Sequence, residues 1–314
     1  MSDYTRVAWT EGMFLRPQHF QQADKHFSSV IRRVVEGTVP DSWGVIELEI
    51  DSELLVTGQF AIDKLTAISP DLCPVQMPGD EFIPDPLVLA KSAYDEIVCL
   101  AIPALKGSGI NISASDDELV TRYRVADLSV SDDSLGSQAQ EVIQVAKLHS
   151  KLMLMSDDTS GYVLLPLARI TEVTNEGAIK LDSKYVPPSL FVISNKALTA
   201  LVREVSGLIK QRAESIAVRL CQGYAGSTSV ADFLMLQTLN KYDAIFQSLL
   251  THSRVHPREL YARLIELAGE LATFSAVNKR VPQLPKYDHA NLQFVFAEVV
   301  NFLYQSLSQV IEQT

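Results

Sequence analysis

Two histidines four positions apart, His252 and His256, are the strongest candidates for chemistry in this sequence. Side chains at this spacing share one face of a helix and can hold one metal ion. A zinc site requires three or four ligands, and no nearby residue completes such a set. Pro257 suits the first position of a helix, so the pair stands where one helix ends and the next begins. We interpret both as helix-end histidines, one of them capping backbone groups, and predict no metal site.

The other titratable candidates also favour structural roles. Adjacent residues of a helix point to different faces, so we predict that Asp288 caps a helix rather than forming an acid–base pair with His289. The cysteines, Cys73, Cys99 and Cys221, are odd in number and have no evident base near them in sequence. We interpret them as buried thiols of a protein from a reducing compartment.

Sequence motifs for nucleophilic or phosphate chemistry are missing. The sequence has no G-x-S-x-G elbow and no G-x-x-x-x-G-K-[ST] loop, and Gly107-Ser108-Gly109 precedes strand-like residues rather than a helix. We therefore predict no catalytic and no cofactor-binding residue, and a protein that is not an enzyme. An unrecognised hydrolase is an alternative that loss of an activity on His-to-Ala substitution would support.

Composition excludes several classes of partner. The 314 residues contain 27 Lys and Arg against 38 Asp and Glu, a net charge of −11. Such a surface repels phosphate groups, which argues against nucleic acid and anionic membranes. No apolar run approaches the roughly 18 residues of a membrane span, and the N-terminus lacks a signal-peptide core. We predict a cytoplasmic protein of two domains with no direct membrane insertion.

The first 35 residues combine an irregular apolar segment with an amphipathic helix. Glu11-Gly12 interrupts any regular structure among large apolar side chains, and Pro17 suits the first position of a helix. Apolar residues then recur every three or four positions: Phe20, Ala23, Phe27, Val30, Ile31 and Val34. A segment of this kind is more typical of an attachment site than of a catalytic one.

Residues 36–184 carry strand signals. Residues 46–51 alternate between apolar and acidic, which predicts a strand with one buried face. Prolines between residues 69 and 86 predict a loop or an edge. Further strands are predicted at residues 54–62, 97–102, 119–130, 142–155, 162–174 and 178–181. Short strands separated by acidic turns favour an antiparallel β-sandwich.

Residues 185–314 change to a helical period after the stiff Pro187-Pro188 connection. Four helices are predicted: one capped at Ser194-Asn195 and ending at Cys221, one opened by the capping box Ser229–Asp232, one from Pro257 to Phe274, and one capped by Asp288. Their apolar seams favour a four-helix bundle. The last seam continues through Val310 and Ile311 without a stop signal, which suggests a chain cut before a further domain.

A long motif of rare residues opens the chain: Trp9, Glu11, Gly12, Met13, Phe14, Leu15, Pro17, Gln18, His19 and Phe20. Later motifs follow in order: Ser42-Trp43-Gly44, Tyr185-Val186-Pro187-Pro188, His256-Pro257-x-x-Leu260-Tyr261, Ala268-Gly269-Glu270-Leu271 and Tyr287-Asp288-His289. Together they closely resemble the signatures of the TssK (VasE, ImpJ) family, baseplate subunits of the bacterial type VI secretion system. The resemblance covers essentially the whole chain.

The resemblance implies a non-enzymatic structural adaptor. Members of this family are cytoplasmic homotrimers with a sandwich like the shoulder domain of phage receptor-binding proteins, a helical neck and a C-terminal head. The N-terminal part attaches to the TssF–TssG wedge of the baseplate. The head docks the baseplate onto the TssJ–TssL–TssM complex at the inner face of the inner membrane. Mapped here, residues 1–35 are the attachment segment, 36–184 the shoulder and 185–314 the neck, and the head is absent from this sequence.

The opening segment is the predicted partner-binding site. Its candidate residues are Trp9, Glu11, Met13, Phe14, Leu15, Pro17, His19 and Phe20, of which Glu11 and His19 are expected to anchor the backbone. Aromatic anchors often dominate the affinity of an interface, but the same residues could fold back onto their own sheet, and both interpretations stay open. A ligand- or sugar-binding β-sandwich module is the alternative function, with Trp43 as its one tryptophan outside the opening segment.

Overall fold

The computed structural model describes residues 4–107, 109–114, 120–134, 139–221, 230–252, 254–274 and 279–308. The chain divides into two compact units. The first unit, the N-terminal unit, comprises Met1–Pro166 with Ile170–Lys180; the second, the helical unit, comprises Leu167–Arg169 with Leu181–Thr314.

The chain begins with a long helix and continues mainly as strands. The helices and strands of this part are α1 (Pro17–Thr38), β1 (Gly44–Ile50), α2 (Ser52–Val56), β2 (Gln59–Phe60), β3 (Ile62–Ile68), β4 (Pro74–Met77), β5 (Leu87–Val88), β6 (Tyr94–Pro103), β7 (Ile112–Ser113), β8 (Tyr123–Ser131), β9 (Gln140–Leu148), β10 (Lys151–Leu154), β11 (Tyr162–Val173) and β12 (Ile179–Leu181).

The strands form four sheets, with the orders β1-β3-β4, β10-β6-β11-β12, β2-β5 and β7-β8-β9. The pairs β1/β3, β3/β4, β6/β10, β2/β5 and β8/β9 are antiparallel, whereas β7 runs parallel to β8. Strands β6 and β11 lie at the centre of the four-stranded sheet and carry continuous buried runs. The alternation predicted at residues 46–51 is confirmed, since β1 alternates between half-buried and exposed positions from Ile46 onward.

Two strand predictions were wrong in their bounds. Residues 54–62 do not form one strand, because the Asp51 carboxylate accepts hydrogen bonds from the backbone N–H groups of Glu53 (2.8 Å) and Leu54 (3.0 Å) and thereby starts α2. Residues 142–155 form two strands of different sheets rather than one. Strand β9 ends at Leu148; the His149 N–H still donates to the Arg122 carbonyl at 2.8 Å, and the chain then enters β10 at Lys151.

A buried ion pair holds two loops of the N-terminal unit together. The Arg122 side chain is only 2% exposed, and its Nη1 lies 2.8 Å from Asp71 Oδ2 and 2.9 Å from the Pro103 carbonyl oxygen. Burial by itself would raise the pKa of Asp71, but the Ser69 hydroxyl and the Arg122 guanidinium together bring it below its ordinary value. The charged form of this carboxyl therefore contributes to the stability of the unit.

Four helices of the helical unit pack around one apolar core. They are α3 (Lys196–Cys221), α4 (Val230–Thr251), α5 (Pro257–Ala272) and α6 (Leu292–Ser308). The most deeply buried core residues include Leu198, Val205, Ile209, Leu239, Tyr242, Phe246, Leu264, Leu267, Val299 and Leu303. Ser229, which opens the predicted capping box, and Val310 and Ile311 of the last seam lie outside the described residues.

Three of the predicted helix caps are confirmed. Asn195 Oδ1 accepts from the Ala197 and Leu198 N–H groups ahead of α3. His256 Nδ1 accepts from the Arg258 N–H at 3.1 Å, and Pro257 is the first residue of α5. Asp288 Oδ1 accepts from the Ala290 N–H at 3.0 Å, in the single 3₁₀ turn that leads into α6. Each cap satisfies backbone donors that a helix leaves unpaired at its start.

Candidate functional site

Helix α1 has an apolar face that the described part of the N-terminal unit leaves exposed. No residue of its 22 is buried, and Phe20, Phe27 and Ile31 remain 53%, 61% and 65% exposed. Transfer of one such side chain from water to an apolar environment is worth about 1.5–3 kcal/mol. A contiguous exposed stripe of this kind marks an interaction surface.

The irregular segment before α1 makes a turn and then caps the helix. Gly12 has a φ of +76°, and the Met13 N–H donates to the Thr10 carbonyl at 3.3 Å. The Arg16 N–H donates to His19 Nδ1 at 3.0 Å, and the His19 N–H donates back to the Arg16 carbonyl at 3.0 Å. His19 thus anchors the backbone at the start of the helix, as its polarity within the motif indicated. Its Nδ1 acts as an acceptor here, which requires the proton of a neutral ring to be on Nε2.

The segment upstream of the turn lies along α1. Gln22 Nε2 donates to the Thr5 carbonyl at 2.9 Å, and His26 Nδ1 donates to the Tyr4 carbonyl at 2.9 Å. The Trp9 ring lies 6.2 Å from that of Phe20 and 6.3 Å from that of His19. Between segment and helix is a recess of about 230 Å³, lined by Arg6, Val7, Trp9, Ala23, His26 and Phe27.

The predicted partner-binding residues lie together on this surface, with unequal exposure. Phe14 is 83% exposed, Trp9 55% and Leu15 54%. Glu11, Pro17 and Phe20 are also exposed, whereas Met13 and His19 are half-buried. The ring contacts of Trp9 are with α1 and not with a sheet, so the structure favours a surface that is organised by the helix.

Sequence reasoning missed the bonds that hold the upstream segment on α1. Gln22 and His26 were not selected, although their four-residue spacing places both on one face of the helix. Their partners are backbone carbonyls of Thr5 and Tyr4, and a carbonyl carries no side-chain signature. The helical spacing of two polar residues was the signal that could have found them.

The candidates for metal chemistry have structural contacts. His252 Nδ1 donates to the Ser248 carbonyl at 2.7 Å, and the His256 ring stacks on that of His289 at 5.2 Å. His289 is 4% exposed and its Nδ1 lies 2.7 Å from the Tyr287 hydroxyl. Within the described ranges no group of three His, Cys, Asp or Glu side chains could hold a metal ion. His256 and His289 thus pack the start of α5 against the turn that leads into α6, whereas His252 bonds to α4.

The three thiols differ in environment. Cys99 is buried in β6, and burial raises its pKa to about 12. Cys73 is half-buried and its pKa is raised, with burial as the largest cause. Cys221 is exposed at the end of α3, so the prediction that all three are buried was wrong. Cys221 is the last residue of α3, so no following turn of this helix covers its side chain.

The structure also describes the surroundings of the second tryptophan and the hydropathy of the helices. Trp43, the tryptophan considered for a sugar site, is half-buried. Of the helices in the described ranges, none combines the length and the hydropathy needed to cross a membrane.

Comparison with known proteins identifies the family. Residues 19–314 match the T6SS_VasE family model, which is described as Bacterial Type VI secretion, EvfL, ImpJ and VasE. The type VI secretion system baseplate component TssK1 of Pseudomonas aeruginosa is 35% identical over 315 residues, which cover 99% of this chain and 71% of that protein.

Solved structures agree in fold. A crystal structure of TssK superposes with a TM-score of 0.92 at 33% identity and covers 99% of this chain and 71% of its own. A TssK–TssF–TssG baseplate subcomplex determined by cryo-electron microscopy contains a chain with a TM-score of 0.85 at 24% identity, covering 97% of this chain and 99% of its own. The family resemblance of the sequence motifs is therefore confirmed, and this chain belongs to the T6SS_VasE (TssK) family of bacterial type VI secretion proteins.

Proposed function

We propose that this chain is a non-enzymatic structural adaptor of the type VI secretion baseplate, which attaches to the TssF–TssG wedge through its opening segment and α1. The observation that carries the proposal is the 22-residue helix without one buried side chain. Such a surface needs a partner to cover it. The proposal is supported by a relative named as a baseplate component and by a protein of the same fold that assembles with TssF and TssG.

The domain roles follow the family pattern in this proposal. Residues 1–35 form the attachment segment, residues 36–184 a shoulder-like β-sandwich and residues 185–314 a neck built as a four-helix bundle. In the full-length protein, the C-terminal head links the baseplate to the TssJ–TssL–TssM complex, on the cytoplasmic side of the inner membrane. These assignments rest on the family resemblance.

A homotrimer is part of the same proposal. Phe20, Phe27 and Val34 recur every seven residues along α1, which is the spacing of helices that pack against other helices in a coiled coil. Phe27 and Val34 are 61% and 57% exposed. The distal part of α1 can therefore pack against further copies of the chain while the opening segment stays available to TssF–TssG.

Substitution of the most exposed anchors separates binding from stability. Trp9→Ala/Phe14→Ala is expected to weaken binding of purified TssF–TssG at least about tenfold, because aromatic side chains at the centre of an interface commonly contribute 2 kcal/mol or more. The melting temperature should change little, since Phe14 is 83% exposed in the chain alone. Biolayer interferometry and thermal unfolding measure the two quantities.

The matched control replaces exposed side chains elsewhere in the N-terminal unit. Val88→Ala/Tyr94→Ala alters residues that are 72% and 75% exposed and should leave the affinity for TssF–TssG unchanged. Equal losses of affinity and stability in Trp9→Ala/Phe14→Ala would show that these residues serve the fold of the chain instead. Failure of the unsubstituted chain to bind TssF–TssG would refute the proposed function.

A further inference from the structure

A second exposed apolar surface lies on the ribbon formed by β8 and β9. The two strands pair in antiparallel register over their whole length, from Tyr123↔Leu148 to Ser131↔Gln140. Strand β7 pairs with β8 only at Tyr123 and Arg124. From residue 125 outward the described part of this sheet therefore has two strands, which we call the distal ribbon (residues 125–131 and 140–146). A two-stranded ribbon is marginally stable in water unless another surface covers it.

One face of the distal ribbon is apolar. Leu128 lies opposite Ile143 in the register, and they are 44% and 45% exposed. Side chains alternate between the faces of a strand, so Ala126, Val130 and Val145 share this face with them. The three side chains are half-buried. The result is an apolar strip that is two strands wide from Ala126 to Leu128 and narrows at Val130, where the opposite residue of β9 is acidic.

The charges around the strip select the kind of partner. The outer end of the strip is acidic, with Asp132, Asp133 and Glu141. The opposite end of the same face carries Arg124 and Lys147, whose cations lie over an aromatic ring of their own chain. A second copy that met the strip with its own acidic end would bring like charges together, which disfavours self-pairing at this end. A complementary surface has an apolar strip with basic side chains beside it.

We infer that the distal ribbon is a second docking surface, whose Leu128–Ile143 face covers an apolar strip flanked by lysine or arginine side chains on a different protein. The inference rests on the proposed function, because TssF–TssG is the partner on which it is tested. It adds a contact that is separate from the opening segment and α1, and it assigns the basic component of the interface to the partner.

Binding of purified TssF–TssG to the 314-residue chain tests the inference. Leu128→Thr/Ile143→Thr places at both positions a β-branched side chain, which strands favour, but removes most of the apolar surface. We expect the dissociation constant to rise about tenfold, as for loss of an interface anchor. Val142→Thr is the matched control, because Val142 is 66% exposed on the opposite face of the same strand, and its dissociation constant should rise less than about threefold.

The charge requirement is tested by salt. Binding should weaken as NaCl rises from 50 to 300 mM, since screening reduces attraction between exposed charges. Asp133→Asn/Glu141→Gln should weaken binding at 50 mM and make its dependence on salt shallower. If this variant and the unsubstituted chain showed the same dependence of the dissociation constant on salt, a partner with basic side chains at this surface would be contradicted.

The possible outcomes separate the two proposals. If the chain does not bind TssF–TssG at all, both fail. If it binds, and Trp9→Ala/Phe14→Ala weakens binding while Leu128→Thr/Ile143→Thr does not, the inference fails and the proposed function stands. If Leu128→Thr/Ile143→Thr instead lowers the molar mass of the chain measured by light scattering, a second copy covers the ribbon and the inference is overturned. Circular dichroism of each variant shows whether the strands are retained.

Discussion

Loss of the Asp71 carboxylate should destabilise the N-terminal unit strongly. In Asp71→Asn the Arg122 guanidinium stays buried, with the Pro103 carbonyl at 2.9 Å as a remaining acceptor but without the charge of its ion-pair partner. The substitution preserves the size of the side chain, so it tests charge and not packing.

The expected magnitude follows from the burial of the two partners. Removal of one partner of a buried ion pair costs about 3–5 kcal/mol, because the other charge is left uncompensated. The Asp71 side chain is 20% exposed, and Arg122 is 2% exposed, so we expect the lower end, about 3 kcal/mol. Arg122→Met/Asp71→Asn removes both charges and should cost less than the sum of the two single substitutions.

Urea unfolding followed by tryptophan fluorescence measures the unfolding free energy of the N-terminal unit. The chain has two tryptophans, Trp9 and Trp43, and both belong to the N-terminal unit. The helical unit therefore does not contribute to the signal. A loss below about 1 kcal/mol for Asp71→Asn, the range of exposed ion pairs, would refute the assignment of a buried and essential pair.

The pH dependence gives an independent check. The pKa of Asp71 is lowered in the folded chain, so its contribution to stability is complete above the unfolded pKa of about 3.9 and is lost as the pH falls through the folded pKa. The difference in unfolding free energy between the unsubstituted chain and Asp71→Asn should be constant from pH 7 to 5 and decrease below about pH 4. A difference that is the same at every pH would mean that charge is not the cause.

Three further predictions concern thiols, a cap and the helical core. Cys221 is exposed and should react with a thiol reagent in the folded chain, whereas Cys99 should react only on unfolding, because burial raises its pKa to about 12. Mass spectrometry identifies the labelled cysteines, and equal labelling of both in the folded chain would contradict the prediction. His256→Ala removes the acceptor for the first turn of α5 and should cost about 1 kcal/mol in thermal unfolding followed at 222 nm, and no measurable change would refute the cap. Phe246→Ala, at a position with 0% exposure, should cost about 3–5 kcal/mol by leaving a cavity, while Phe233→Ala, at 59% exposure in the same helix, should cost less than about 1 kcal/mol.

Local signals predicted local structure well. Asn195, His256 and Asp288 were recognisable as caps because a cap is defined by residues two or three positions away. The helical period located the four helices of the helical unit for the same reason. Strand bounds were less predictable where side-chain chemistry competes with periodicity, as Asp51 does when it starts a helical turn inside an apparent strand.

Contacts between distant residues could not be predicted from the sequence. Arg122 and Asp71 lie 51 positions apart, and the local sequence around either residue does not predict the other as its partner. The stripe on α1 was predicted by its period, but a period does not say whether an apolar face is turned to the core of its own chain or to a partner. Only the exposure of Phe20 and Phe27 in the structure distinguishes these cases.

The absence of buried side chains in α1 also has a consequence for how assembly could be observed. Most of the stability of a helix in a protein comes from tertiary packing, and an isolated helix of moderate length is marginal in water. The backbone N–H groups of α1 after Pro17 should therefore exchange with deuterium quickly in the unassembled chain and slowly once a partner covers the helix. Helix order and assembly are then one coupled equilibrium, and the rate of exchange in this one segment reports the fraction of copies that are assembled.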